Sequence, residues 1–199
     1  MTTDQVRSHV RGAAVRDRLL AVATELFTSA GARPTGVDEI VARSGIAKSS
    51  LYRWFPTKDD LIIGFLAQRN AAFWEQWDMV RDEHRGDAAA ELEAQLVWIN
   101  EYIRGPRFRG CPFLNTTAEF ADRDHAVRAS CRANKSELRR RLADLSLRLG
   151  APAPDELADQ LLLVIDGAFA DSQVFGDDGP HAVLVKTGRA LVAAALAPR

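Results

Sequence analysis

Cysteine is nearly missing from this chain: two among 199 residues, Cys111 and Cys131, twenty positions apart. Two such thiols make no disulfide framework. Metal-ligand spacing is missing as well, since no two thiol or imidazole groups stand at i, i+3 or i+4 or in Cys-x2-Cys form; no metal and no cofactor is expected. Long apolar runs are absent. The longest, 190–197, is eight residues, against the roughly 20 that a membrane helix needs. Residues 1–12 hold no hydrophobic segment of a secretion signal, so a cytoplasmic protein without membrane contact is expected. Proline is sparse at eight residues, no stretch reads as a hairpin, and β-branched clusters are short, which argues against sheet. Paired catalytic groups at nucleophile spacing and phosphate loops are lacking, so no enzyme is expected.

What the chain does contain is a short helix pair with unusual chemistry at 37–58. Asp38 and Glu39 favour a first turn, and Thr35 reads as the N-cap, with Asp38 as its capping-box partner. Val37, Ile40 and Val41 form one apolar face. Ser44-Gly45 ends the first helix, glycine supplying the left-handed C-cap. The second helix starts near Ala47 and stops before Pro56, with Leu51 and Phe55 as anchors at i, i+4. Lys48, Ser49, Ser50, Tyr52 and Arg53 point away from that anchor or flank it. Thr57 and Asp60 cap the next helix. Between Arg43 and Lys58 stand four cations and no carboxylate. Lysines and a tyrosine hydroxyl suit phosphate oxygens, and Arg53 suits the O6/N7 edge of guanine. The net charge is −1, but residues 1–60 sum to +2 and the remainder to −3, an asymmetry with the sign expected for a DNA-reading N-terminus.

An amphipathic helix over 16–30, with Leu19, Leu20, Ala23, Leu26 and Phe27 on one side, precedes the pair and closes at Gly31. The run Ala23-x-x-Leu26-Phe27-x-x-x-Gly31, Val37-x-x-Ile40-Val41 and Gly45-Ile46-x-Lys48-x-x-Leu51-Tyr52-x-x-Phe55-x-x-Lys58-x-x-Leu61 resembles the N-terminal domain of the tetracycline-repressor (TetR) family of transcriptional regulators. The resemblance covers about 15–65. It implies an all-α fold of about nine helices, with a three-helix helix-turn-helix DNA-binding domain over 1–57 and a helical effector-binding and dimerisation domain over 58–199. It also implies that Lys48, Tyr52 and Lys58 contact phosphates of double-stranded operator DNA and that Ser49, Ser50 and Arg53 reach base edges, with Thr35 counted among the DNA contacts. Trp54 has two readings, DNA contact or packing on the first helix. Gly36 stands where relatives carry a hydroxyl. Arg7, Arg11 and Arg16 form either a basic arm near the minor groove or a frayed terminus.

Further helices are expected over 57–85, 88–104, 111–121, 125–150, 156–174 and 180–197. Leu161 to Ile165 with Phe169, and Val183 to Val185 with Leu191, Val192 and Leu196, are apolar over more than one face, which calls for a partner. Gly167, Ala168, Gly188, Ala190, Ala193 and Ala194 permit close helix approach. The resemblance makes that partner a second copy, pairing through the last two long helices. It also places a small-molecule pocket among the middle helices, where Trp74, Trp77, Trp98, Phe108, Cys111, Phe113, Asn115, Glu119 and Phe120 either line a cavity or pack as core. Glu119 needs a cation such as Arg109 or Arg128, or a polar ligand group. The function implied is a regulator, a repressor released from a pseudo-palindromic operator by an effector. The alternative is redox control through Cys111, its thiol exposed by Gly110 and Pro112 at a helix N-terminus.

Overall fold

The computed structural model describes residues 3–106 and 108–197, with side chains from residue 12 onward. Among them it holds nine α-helices and no strand: α1 (Thr3–Ala30), α2 (Val37–Ser44), α3 (Lys48–Trp54), α4 (Lys58–Glu83), α5 (Ala88–Ile103), α6 (Pro112–Glu119), α7 (Ala126–Arg148), α8 (Pro154–Phe175) and α9 (Leu184–Leu196). No helix among them is long and apolar enough to cross a membrane. The chain forms two compact units, one of residues 1–69 with 115–131 and one of 70–114 with 132–199. The division lies inside α4, twelve residues beyond the boundary expected at 57/58, and the first unit takes in α6 residues as well.

In the first unit, α1 supplies Leu19, Leu20, Ala23, Leu26 and Phe27 to the core, all buried. They meet Ile40 of α2, Leu51 of α3 and Leu61, Ile62, Phe65 and Leu66 of α4, with Phe27 edge-on to Phe65 at 5.6 Å. The turn between α2 and α3 depends on Gly45, whose φ of 68° is left-handed and whose amide donates to the Val41 carbonyl. At the head of α4 the capping box forms as expected. The Thr57 amide and hydroxyl donate to Asp60 Oδ2 (2.9 and 2.7 Å), and the Asp60 amide donates back to Thr57 Oγ1 (3.1 Å).

Three local expectations are corrected. Thr35 does not cap α2: Gly36 occupies the N-cap without a side-chain bond. The Thr35 hydroxyl turns inward instead and donates to the Gly31 carbonyl at 2.7 Å. α1 begins at Thr3, not near Arg16, and Gly12 within it leaves room for the Trp54 ring, 3.1 Å from where a Cβ would stand. The last helix begins at Leu184, because Pro180–Val183 form a 3-10 turn after Gly179, such turns being common at helix N-termini.

In the second unit, Leu92, Leu96, Ile99 and Ile103 of α5 are buried, as are Leu138, Leu142 and Leu145 of α7 and Leu157, Leu161, Ile165 and Phe169 of α8. Asp87 caps α5 by accepting from the Ala89 and Ala90 amides. Gly188 of α9 lies against this core: a Cβ there would fall 2.3 Å from Leu96 Cδ1. Its small size therefore serves packing within the chain. Gly167 has open space around it. Leu163 (74% exposed), Val174 (75%), Phe175 (58%) and Val183 (50%) are large apolar side chains left in water.

Candidate nucleic-acid interface

The recognition element is α3, seven residues held by buried Leu51 and by Phe55 just beyond its end. This anchor leaves Lys48, Ser49, Tyr52 and Arg53 exposed and Ser50 half-buried. Arg18 fixes the preceding helix, its Nε donating to the Ser44 carbonyl at 2.6 Å. Arg16 lies over the Phe55 ring at 5.5 Å and so packs on the three-helix core; the side chains of Arg7 and Arg11 lie outside the described residues. Trp54, at the end of α3, is 36% exposed and meets Gly12 of α1, which favours packing on the first helix.

The four-cation patch is less positive in space than along the chain. Asp38 reaches Lys48 Nζ at 2.7 Å, and its hydrogen bond and charge raise the lysine pKa. Glu39 pairs with Arg43 at 3.0 Å. Both carboxylates stand in the first turn of α2, so a window read from Arg43 onward omits them. Lys58 donates to the Arg33 carbonyl at 2.6 Å, and burial pushes its pKa down. Arg53 is exposed and stands in no ion pair among the described residues. Thr35, only 2% exposed, offers no hydroxyl at the surface.

The nine residues expected around a pocket fall in both compact units. Trp74, Trp77, Trp98 and Phe108 belong to the second, in an aromatic chain completed by Phe73, Tyr102 and Phe169. Successive centroids lie 4.9 Å (Phe73–Trp74), 5.1 Å (Phe73–Trp98), 6.4 Å (Trp98–Tyr102), 5.5 Å (Tyr102–Phe108) and 6.0 Å (Phe108–Phe169) apart. Trp77 is fully packed, whereas Phe73, Trp74, Trp98, Tyr102 and Phe108 are half-buried. The Trp74 indole donates to Asn70 Oδ1, which also accepts from Asn134, and Arg141 covers its ring at 4.4 Å. Lys135 and Asp166 pair beside Phe169. Sequence reasoning missed Lys135, Asp166 and Asn70, since their pairing joins helices far apart in the chain.

Cys111 and Phe113 are buried. The thiol is thus not exposed by its neighbours, and the premise of the redox alternative fails. Asn115, Glu119 and Phe120 lie in the first unit. There the Glu119 carboxylate accepts the Ala32 amide at 3.2 Å and the Arg33 amide, while Arg33 Nη1 donates to the Glu119 carbonyl at 2.9 Å. Its partners include backbone N–H groups of the α1–α2 loop, which the sequence did not suggest; Arg128 donates to the Phe120 carbonyl. Among the described residues no His, Cys, Asp and Glu group gathers as a metal site.

Residues 19–64 match the N-terminal domain of the bacterial regulatory proteins of the tetR family, and residues 88–187 match a tetracyclin repressor-like C-terminal domain. A TetR-family transcriptional regulator from Streptomyces coelicolor superposes with a TM-score of 0.82 at 30% identity, over 92% of this chain and 95% of that one. A putative TetR-type regulator from Streptomyces avermitilis gives 0.78 at 29%, over 91% and 97%. The HTH-type transcriptional regulator QacR of Staphylococcus aureus is 38% identical over 63 residues, which span 32% of this chain and 34% of QacR. Matched by the family at both ends and carrying its helix-turn-helix on α2 and α3, the chain belongs to the TetR family of DNA-binding transcriptional regulators.

Proposed function

We propose that this regulator is a homodimeric repressor that leaves a pseudo-palindromic operator when a small molecule binds its second unit. The exposed face of α3, with Arg53 unpaired among the described residues, carries this reading. In it Lys48 and Tyr52 take phosphates while Ser49, Ser50 and Arg53 read base edges. Lys58 joins the phosphate contacts by giving up the Arg33 carbonyl. The exposed apolar side chains Leu163, Val174, Phe175 and Val183 support a second copy against α8, because burying apolar surface drives association. A two-fold pair sets its recognition helices about 34 Å apart, one turn of DNA, or a multiple of it. The half-buried aromatic chain supports an effector site in the second unit, and an effector acts by favouring dimers misspaced for the operator.

The test is a mobility shift on an operator selected from random duplexes. Wild type is expected to bind as a dimer, and Arg53→Ala with Tyr52→Ala to lose the preference for that sequence. Equal binding by wild type and the double variant would refute the assignment of α3.

A further inference from the structure

A cleft of about 470 Å³ lies within the first unit, where the α1–α2 loop and the start of α4 meet the segment after α6. Its size falls in the range of small-molecule sites. The inner wall is apolar, built from Ile62 (1% exposed) and Phe120 (9%), with Ala121 exposed at the rim.

The polar groups around it are unevenly used. Asp59 Oδ2 faces His125 Nε2 at 3.4 Å. His125 Nδ1 accepts the Val127 amide at 3.3 Å, which leaves the ring N–H on Nε2, towards Asp59. The imidazole also lies 4.6 Å from the Phe120 ring. Asp122 accepts from the Asp124 amide, and nearby Glu119 holds the Ala32 and Arg33 amides. The cations retain capacity. Lys58 has three N–H donors and gives one to the Arg33 carbonyl; Arg33 has five and spends one Nη1 bond on the Glu119 carbonyl. Among the described residues neither forms an ion pair, whereas Arg139, Arg141, Arg148 and Arg189 all do. The pKa of Lys58 is lowered first by burial, against the opposing charges of Glu119 and Asp59.

We propose that this cleft is a binding site for a small, flat organic monoanion, an aromatic carboxylate, with its carboxylate on Arg33 and Lys58 and its ring on Ile62 and Phe120. One negative charge fits better than several, because Asp59 and Asp122 already balance the two cations of the lining. A compact inorganic ion would satisfy the cations but leave the apolar wall in water. The site is distinct from the aromatic chain of the second unit, and its existence does not rest on the operator reading.

Calorimetric titration of the full-length protein with 2-naphthoate tests it, alongside neutral 2-naphthalenemethanol and inorganic phosphate. Saturable binding at one site per chain is expected, about tenfold or more weaker for either control, since charge-assisted bonds and ring burial each supply at least that factor. Arg33→Gln and Ala121→Trp should each abolish it, the latter by filling the cleft from an exposed position. Should either variant fail to fold, the imidazole proton resonances of wild-type His125 must still move with naphthoate. Absence of saturable binding, equal affinity for the alcohol or for phosphate, full binding by folded Ala121→Trp, or unmoved His125 resonances would each overturn the proposal. Operator binding by Ala121→Trp is measured in parallel, so that loss of the cleft and loss of DNA recognition are read separately.

Discussion

Replacing Lys48 by methionine removes the charge that the proposed operator contact places on a phosphate while keeping an unbranched apolar stem at an exposed helix start. Each phosphate neutralised by a protein cation contributes about −0.9 to the slope of log K against log salt. A dimer loses two such contacts, so its slope should become shallower by about 1.8. Between about 50 and about 200 mM salt, this amounts to about 1.1 log units, or roughly twelvefold less loss of affinity than in wild type. The magnitude is complicated by Asp38, whose carboxylate already holds Lys48 at 2.7 Å and competes with phosphate for it. Asp38→Asn is therefore expected to bind DNA more tightly at low salt and with a steeper slope. The Lys48–Asp38 pair is solvent-exposed, so the exchange should leave folding nearly untouched. Fluorescence anisotropy on a labelled selected operator, repeated across salt for both variants, gives the slopes. A Lys48→Met slope equal to wild type, or weaker binding by Asp38→Asn at low salt, would refute the reasoning.

Gly36→Ser should stabilise the protein by about 0.5–1 kcal/mol, because φ is −81° and no atom lies within 4 Å of a new Cβ, while the hydroxyl can cap α2; thermal melting checks this, and a lower Tm would contradict it. Gly31→Ala should cost about 1–2 kcal/mol, since φ is 93° and a Cβ would crowd Pro34 and the Glu119 carboxylate, lowering Tm by about 2–8 °C. Glu137 is held at about 2 by Arg140, with Arg141 beside it. A depressed carboxylate stabilises above its unfolded pKa of about 4.5 and loses that contribution as pH falls towards 2. The full shift corresponds to about 3.4 kcal/mol, reduced to about 1–2 by solvent screening at a side chain 30% exposed. The urea midpoints of wild type and Glu137→Gln should thus differ at pH 6 to about that extent, the difference shrinking below the unfolded pKa and closing only as pH nears 2; a constant difference would count against it.

The parts of the fold legible in the sequence are those set by neighbours a few residues apart. The Thr57–Asp60 box, the Gly45 turn and the anchors Leu51 and Phe55 all act within one or two helical turns, and the family pattern is written in the same short spacings. Thr35 misled because a hydroxyl at the end of a loop can serve a carbonyl behind it as easily as an amide ahead, and only the folded path of Gly31 decides. Lys48 and Arg43 seemed unopposed because their carboxylates, Asp38 and Glu39, stand in the first turn of α2, before the stretch that opens at Arg43. Glu119 was recognised as needing a partner, but that partner lies 86 and 87 residues away in backbone amides, which composition cannot mark. The cleft beside it was missed for the same reason: Arg33, Lys58 and His125 belong to three distant stretches of chain.

The discontinuity of the first unit has a consequence for synthesis. Residues 70–114 must be made before 115–131 can join it, a delay of about 2–9 s at about 5–20 residues per second. Throughout that interval the Ala32 and Arg33 amides have only water to serve them, since Glu119 has yet to emerge from the ribosome. A translation product interrupted in this window carries α1 to α3 in full, yet the loop leading into its helix-turn-helix lacks the carboxylate that holds it.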